Sequence, residues 1–240
     1  MEQECPGVSL KLTFTQIYEC ERSSPGWMTP ANQIKKRKKS KGFDMTSNIK
    51  IDVLEYVDES GATYYIEKFE RVFPLSEIDY ADSYKMSCEA CEKFGKNLAC
   101  PPFSQSLSTY AGNAKTAYVI CLRLPQEYFD NLVSGERYLT CFKKVRSLLV
   151  DILLDYRRKG YIIAGSGPCL ECEQCAAELD SRQCSNPDKM IYSLESLGTN
   201  LITLVKKCFN IDLEWSSNEQ YADFVCAIGA VFLPTSSPVR

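Results

Sequence analysis

Two short segments contain seven of the chain's 13 cysteines, and histidine is absent from all 240 residues. In the first segment, "SCEACEKFGKNLACPP", three cysteines follow a C-x2-C-x8-C spacing. In the second, "CLECEQCAAELDSRQC", the last three cysteines repeat that spacing after one additional cysteine. The seven are Cys88, Cys91, Cys100, Cys169, Cys172, Cys175 and Cys184. The repeated spacing indicates that two loops meet a similar geometric requirement.

The absence of histidine removes several kinds of site at once. The chain can form neither a Ser-His-Asp nor a Cys-His relay, no mixed Cys/His zinc finger and no His-ligated haem. Clustered cysteines in a reducing compartment point to metal or redox chemistry rather than to a disulfide framework. The protein ligands of any metal must therefore be thiolates, carboxylates or backbone oxygens.

The C-x2-C-x2-C run of the second segment, followed later by a cysteine near a proline, is typical of ferredoxin-like [4Fe–4S] sites. Cysteines three residues apart in a tight loop can reach adjacent irons of a cluster, and backbone N–H groups can bond its sulfides. The gap of eight residues before the last cysteine is longer than in the compact signature and fits an insertion. The pattern predicts an iron–sulfur cluster; an all-cysteine zinc site and reduced structural or redox cysteines are the alternatives.

Two ligand schemes follow from seven cysteines. In the uncrossed scheme, the second segment supplies four ligands to one cluster and the first segment supplies three to another. In the crossed scheme, the proline-associated cysteine of each segment, Cys100 or Cys184, joins the cysteines of the other segment. Either scheme leaves one iron without an obvious cysteine, and that iron is open to a substrate, a hydrosulfide or a non-cysteine ligand. The other cysteines are expected to be incidental or small buried hydrophobes, although one of them could supply the eighth ligand.

Hydrophobic patterns predict the fold class. The alternating stretches "IKIDVLEYV" and "ATYYIEKFERVF" flank the turn "DESG" and predict a β-hairpin, and "TAYVICLRL", "YIIAG" and "ADFVCAIGAVFL" predict further strands. Apolar residues at three- and four-residue steps predict a helix over 126–159, and "MIYSLESLGTNLITLVKKCF" predicts a second. We therefore expect an α/β (or α+β) fold with a mixed sheet, flanking helices and two cysteine-rich metal-binding loops at strand ends.

Composition suggests a domain division and a location. Residues 1–48 are expected to be a partly flexible extension with a basic run at 35–41, and residues 49–240 the cysteine-rich metal-binding domain. The net charge of −3 does not indicate a nucleic-acid-binding protein. No apolar run approaches the roughly 18 residues of a membrane span, and the first residues lack the layout of a signal peptide. We expect a cytoplasmic protein with neither membrane nor nucleic acid as a partner.

Three stretches carry a resemblance to a known family. In order, "FGKNLACPP", "GPCLECEQC" and "SLESLG" resemble the predicted metal-binding proteins of domain-of-unknown-function family 2284. The resemblance covers about residues 67–233 and implies the same seven cysteines as ligands. The family is common in anaerobes and has a poorly defined biochemical role, so the resemblance implies a site more than a function.

The expected function is that of an iron–sulfur protein with one or two [4Fe–4S] clusters, which passes electrons to or within a redox partner system. One alternative is an enzyme whose three-cysteine cluster binds a small-molecule substrate at its open iron, for desulfidation or sulfur transfer. The other alternative is a zinc-stabilised interaction protein.

Overall fold

The computed structural model describes residues 34–35, 48–58, 61–128, 136–213 and 222–234. Its centre is a sheet of six strands in the order β1-β2-β3-β4-β6-β5. The strands are β1 (Ile34–Lys35), β2 (Lys50–Val57), β3 (Thr63–Pro74), β4 (Ala114–Pro125), β5 (Ile162–Ala164) and β6 (Phe224–Pro234).

The predicted hairpin is confirmed. Strands β2 and β3 pair antiparallel from Lys50 opposite Glu70 to Val57 opposite Thr63. The three later strands also form where alternation and apolar runs predict them. The hairpin follows from local pattern because a half-buried strand places alternate residues on opposite faces. The later strands are continuous apolar runs, as expected for strands covered on both faces.

The expected α/β (or α+β) class is confirmed, but the sheet is antiparallel rather than mixed in every described ladder. Strands β4 and β5 run in the same direction, since both pair antiparallel with β6. Strand β6 lies between them, so the helical crossover from β4 to β5 creates no parallel ladder. The α+β description therefore applies.

Three α-helices flank the sheet: α1 (Leu107–Ala111), α2 (Glu136–Arg158) and α3 (Leu201–Phe209). Short 3-10 turns occur at Leu75–Glu77, Asp82–Cys88, Gln126–Tyr128 and Ala176–Leu179. The helix predicted over 126–159 is thus confirmed over α2. Its first residues form a separate 3-10 turn, and residues 129–135 lie outside the part of the chain that the structure describes. Helix α1 was not predicted; Ser106 caps it by accepting a bond from the Thr109 N–H at 3.3 Å.

The second predicted helix is shorter than expected. Only α3 is helical; residues 190–193 are irregular apart from an isolated bridge at Ser193, and residues 194–198 form turns. The hydroxyl groups of Ser193 and Ser196 each accept a bond from the other's backbone N–H at 3.1 Å, which competes with helical bonding. Gly198 then adopts φ +82°, and the side chain of Asn200 caps α3. Side-chain bonding to the local backbone therefore overrides the helical periodicity.

Each face of the sheet carries a hydrophobic core. On one face, α2 packs Val145, Leu149 and Leu153 against the strands. On the other, α3 contributes Leu204 and Val205. Successive residues of β4 alternate between the two cores, as expected for a strand covered on both faces.

Three cysteines outside the two segments are fully buried in these cores, as the sequence predicts: Cys121, Cys141 and Cys208. The predicted extension 1–48 and its basic run lie outside the described residues apart from Ile34, Lys35 and Asn48. Ile34 and Lys35 pair with Tyr56 and Glu55 at the edge of the sheet. Within the described ranges, no helix combines the length and apolarity needed to cross a bilayer.

Candidate metal centre

The first cysteine segment, residues 87–102, lies in a longer loop, residues 82–104, which follows β3 and is built from a 3-10 turn and further tight turns. The Cys91 N–H donates to the Cys88 carbonyl and the Phe94 N–H donates to the Cys91 carbonyl, each at 2.9 Å. The Cys100 N–H donates to the Asn97 carbonyl at 2.9 Å. These turn bonds place the three cysteines on a compact loop, since each one closes a tight reversal of the chain.

The second cysteine segment, residues 169–184, lies in a longer loop, residues 165–190, which leaves β5 directly and is fixed to α2 near both of its ends. Buried Arg146 donates from Nε to the Ser166 carbonyl at 2.6 Å and from Nη2 to the Pro168 carbonyl. About three turns further along the same helix face, Arg157 donates to the carbonyls of Lys189 and Met190, each at 2.8 Å. The guanidinium groups thereby satisfy loop carbonyls that lie close to Cys169 and Cys184.

All four cysteines of the second segment line one small cavity of about 20 Å³, which has room for little more than one water molecule. Two N–H groups point at thiol sulfurs in this cavity. The Asn186 side-chain amide donates to Cys172 Sγ at 3.2 Å, and the Leu98 backbone N–H donates to Cys175 Sγ at 3.4 Å. Such donors stabilise a thiolate and, in metal sites, help set its ligand properties. The cavity is lined by Asn97, Leu98, Cys169, Glu171, Cys172, Cys175, Cys184, Asn186 and Met190.

The two segments also contact each other directly. Buried Asn97 donates from Nδ2 to the Cys169 carbonyl at 2.8 Å. The Lys93 ammonium lies 3.6 Å from the Glu178 carboxylate. The guanidinium of Arg182 lies 4.5 Å from the centre of the Phe103 ring, within the range of a cation–π contact. The first segment therefore forms one wall of the cavity in the second.

The cysteines of the first segment influence one another electrostatically. Burial, followed by the charges of Glu195 and Cys91, raises the pKa of the Cys88 thiol to about 11. Burial, followed by the charges of Cys91 and Cys88, raises the pKa of the Cys100 thiol well above its ordinary value. Cys88 and Cys100 are therefore protonated at neutral pH without a metal, and metal binding must release their protons.

Of the seven predicted ligands, the structure brings the four of the second segment together around one cavity. Cys184 lies there with the cysteines of its own segment, as the uncrossed scheme expects, and Cys88 and Cys91 do not line that cavity. No disulfide joins any cysteine that the structure describes, and no group of three or more Cys, Asp or Glu side chains there is arranged to hold a metal ion. The ligand role of the seven cysteines stays a prediction.

Sequence reasoning missed the residues that position the segments: Asn97, Arg146, Arg157, Asn186 and the turn "SLESLG" at 193–198. A signal for the arginines was present in α2. Arg146 and Arg157 are 11 residues apart, about three helical turns, and share the face of Leu149 and Leu153. A charged residue within an apolar helical face needs a polar partner inside the protein, and here the partners are loop carbonyls.

A family model described as "Predicted metal-binding protein (DUF2284)" matches residues 71–233. The match covers more than half of the chain and includes both cysteine segments. Comparison with curated proteins and comparison with solved structures give no significant match.

Proposed function

The chain belongs to the family of predicted metal-binding proteins DUF2284, and we propose that its metal is iron, held in [4Fe–4S] clusters by the thiolates of the two cysteine segments. In this proposal the protein passes electrons to or within a redox partner system in the cytoplasm. When bound, such clusters supply one-electron chemistry.

One observation carries the proposal: four cysteines with ferredoxin-like spacing line a single cavity into which two N–H groups donate to sulfur. Hydrogen bonds to the sulfurs raise the reduction potential of a cluster by stabilising negative charge there. Asn186 and the Leu98 backbone are the residues in position to do so. Arg146 and Arg157 fix the loop, which limits the rearrangement that would accompany electron transfer.

The surface around the second segment suits a docking redox protein. Cys172 and Cys175 are partly exposed, and Glu171 and Glu173 on either side of Cys172 are exposed carboxylates. Because charge complementarity accelerates the encounter of two proteins, we expect a partner with a basic docking surface.

Zinc is the second candidate metal, and the size of the cavity favours it. A space of about 20 Å³ takes one ion with less movement of the thiols than a four-iron cluster requires. Loading a cluster would need the second segment to open outward between its two arginine anchors. In the zinc case the chain is a metal-stabilised interaction protein.

Anaerobic purification followed by counting of iron, sulfide and zinc tests the choice of metal. We expect about four or eight irons per chain with equal sulfide, and Mössbauer spectra typical of [4Fe–4S] clusters. Zinc without sulfide would select the second candidate. Less than about one iron per chain would contradict the iron–sulfur proposal, because one [4Fe–4S] cluster needs about four.

A further inference from the structure

A second and larger cavity, of about 330 Å³, lies between helix α2 and the start of the loop 165–190. Its volume is in the range of small-molecule binding pockets. One wall is a single face of α2, because its lining residues recur at three- and four-residue steps. They are Lys143, Arg146, Ser147, Val150, Asp151 and Leu154. The other wall is formed by residues 165–171 together with Ile191, and Arg146 fastens the two walls to each other.

Two charged side chains on the α2 wall have no ion pair. Lys143 and Asp151 are half-buried, and neither forms a salt bridge or a side-chain hydrogen bond with any residue that the structure describes. Arg158 acts on Asp151 through its charge but pairs with Asp155. Burial, followed by the charge of Asp155, raises the pKa of the Asp151 carboxyl, which is thus partly withdrawn from water. A charge in such a place is stabilised by a partner of opposite sign, and a bound ligand can supply one.

The positions of the two charges describe the shape of that ligand. Lys143 and Asp151 are eight residues apart on one helix face, which corresponds to about 12 Å along the axis of α2. Their signs are opposite, so a single molecule can satisfy both only if it carries a negative group and a positive group at separate ends. The apolar lining, which includes Val150, Leu154 and Ile191, suits a hydrocarbon chain between the two groups.

The cavity adjoins the second cysteine segment. Cys169 and Glu171 line both this cavity and the small one that the four cysteines share. Buried Arg146 also lines it, and its positive charge lies one helical turn from Lys143. Because Glu171 is exposed, its carboxylate stays solvated without a partner. A ligand in the cavity therefore lies beside a predicted metal ligand and meets its strongest positive field near Lys143 and Arg146.

We propose that this cavity binds a small zwitterionic amino carboxylate, whose carboxylate pairs with Lys143 and whose ammonium group pairs with Asp151. Arg146 keeps its bonds to the loop in the complex, and its charge favours the carboxylate end of the ligand. The inference goes beyond the proposed electron transfer and holds for either metal.

The test uses the full chain, purified anaerobically, and isothermal titration calorimetry. The probes are unbranched ω-amino carboxylates of increasing length, from γ-aminobutyrate through ε-aminocaproate to ω-aminocaprylate. Each is compared with the carboxylate and the amine of the same chain length, such as caproate and n-hexylamine. At least one zwitterion should bind about tenfold more tightly than both of its analogues, since a hydrogen bond to a charged group typically contributes that factor or more.

Two variants assign the ends of the ligand. Asp151→Asn should remove the advantage of the zwitterion over the matched carboxylate, and Lys143→Met should reduce its advantage over the matched amine. Binding of the carboxylate to Asp151→Asn should equal or exceed its binding to the wild type, which a misfolded variant would not show.

Two further variants are matched controls outside the cavity. Asp180→Asn changes an exposed acid of the same loop, and Lys159→Met changes an exposed base just beyond α2. Neither residue lines the cavity, so both variants should bind the zwitterion as the wild type does.

Three results would overturn the inference: no member of the series binds, a matched carboxylate or amine binds as tightly as its zwitterion, or Asp151→Asn and Lys143→Met keep wild-type selectivity. Iron, sulfide and zinc are counted in the same samples. A chain with its clusters intact that binds no zwitterion refutes this inference alone, whereas selective binding by a chain without iron supports it and refutes the iron–sulfur proposal.

Discussion

At the residue scale, the described cysteines occupy two different environments. Cys121, Cys141 and Cys208 are fully buried among apolar side chains and pack as small hydrophobes. The seven cysteines of the two segments are partly exposed, and two of them, Cys172 and Cys175, accept hydrogen bonds from N–H donors. A thiolate ligand needs such donors because an apolar surrounding disfavours its charge.

Replacement of single cysteines should separate these roles. Cys172→Ala and Cys88→Ala are expected to lose most of the iron of their own centre, because each removes a proposed ligand. Cys226 is a partly exposed cysteine of β6 outside both segments. Cys226→Ala should therefore keep wild-type iron content. Iron and sulfide counts provide the measurement, and unchanged iron in both ligand variants would refute the assignment.

Glu70 allows a prediction about acid stability. It is only 3% exposed, and its carboxylate lies 2.8 Å from the Lys68 ammonium and 2.9 Å from that of Lys50. Burial alone would raise the pKa of Glu70, but bonds from Lys68 and Lys50 outweigh burial and lower it. A carboxyl group whose pKa is lower in the folded than in the unfolded state stabilises the fold at pH values above its unfolded-state pKa. That stabilisation is lost as the pH falls through the folded-state pKa.

Glu70→Gln should therefore lower the free energy of unfolding by about 3 kcal/mol at pH 7, the usual cost of breaking a buried pair. Below the folded pKa of Glu70 the difference from the wild type should shrink. Urea unfolding of the metal-free proteins between about pH 3 and 7 measures both effects. Glu67→Gln is the control, since its more exposed pair with Arg123 is expected to contribute about 1 kcal/mol or less. A pH-independent difference for Glu70→Gln would contradict the argument.

At the scale of elements, α2 has two separate tasks. Its apolar residues cover one face of the sheet, and its arginines fasten the second cysteine segment. Arg146 binds the carbonyls of Ser166 and Pro168, and Arg157 binds those of Lys189 and Met190. Side-chain donors to loop carbonyls thus replace the regular backbone pairing that a loop lacks.

Arg157→Met should accelerate metal loss from the second centre to a chelator, because the anchor after Cys184 is removed. The unfolding free energy of the metal-free protein should fall by about 2 kcal/mol, because Arg157 donates two hydrogen bonds at 2.8 Å and each such bond typically contributes about 1 kcal/mol. Arg158→Met is a matched control on the same helix, since Arg158 is 73% exposed and contacts Asp155. Equal rates of metal loss in the two variants would show that Arg157 is not an anchor.

At the scale of the whole molecule, a well-packed sheet supports two segments with little regular structure. Strands β4 and β6 pair along their length between two cores. The cysteine segments consist of turns and a few long-range contacts. Local stability should follow this division, since regions with few buried contacts open at lower free energy than the core.

Metal removal should therefore increase amide hydrogen exchange in residues 82–104 and 165–190 while β4 and β6 stay protected. The reason is that metal binding and ordering of the ligand loops are coupled. Exchange followed by mass spectrometry, with and without a chelator, tests this. A uniform rise across the sheet would mean that the metal stabilises the entire domain, and no change in either segment would contradict metal binding there.

Three features of the protein could be predicted from the sequence: which residues can serve as thiolate ligands, where the hairpin and long strands lie, and the amphipathic character of α2. These features are local, because spacing of cysteines and periodicity of apolar residues act within a few residues. Only the tertiary packing places β6 between β4 and β5 and makes residues 190–198 non-helical, with a turn at 194–198. Those outcomes depend on contacts between residues far apart in the chain, chiefly strand pairing, serine and arginine bonds to loop carbonyls, and the close approach of Gly198 to Ala81. No periodicity within a short window encodes such contacts, since they exist only after the two cores have packed.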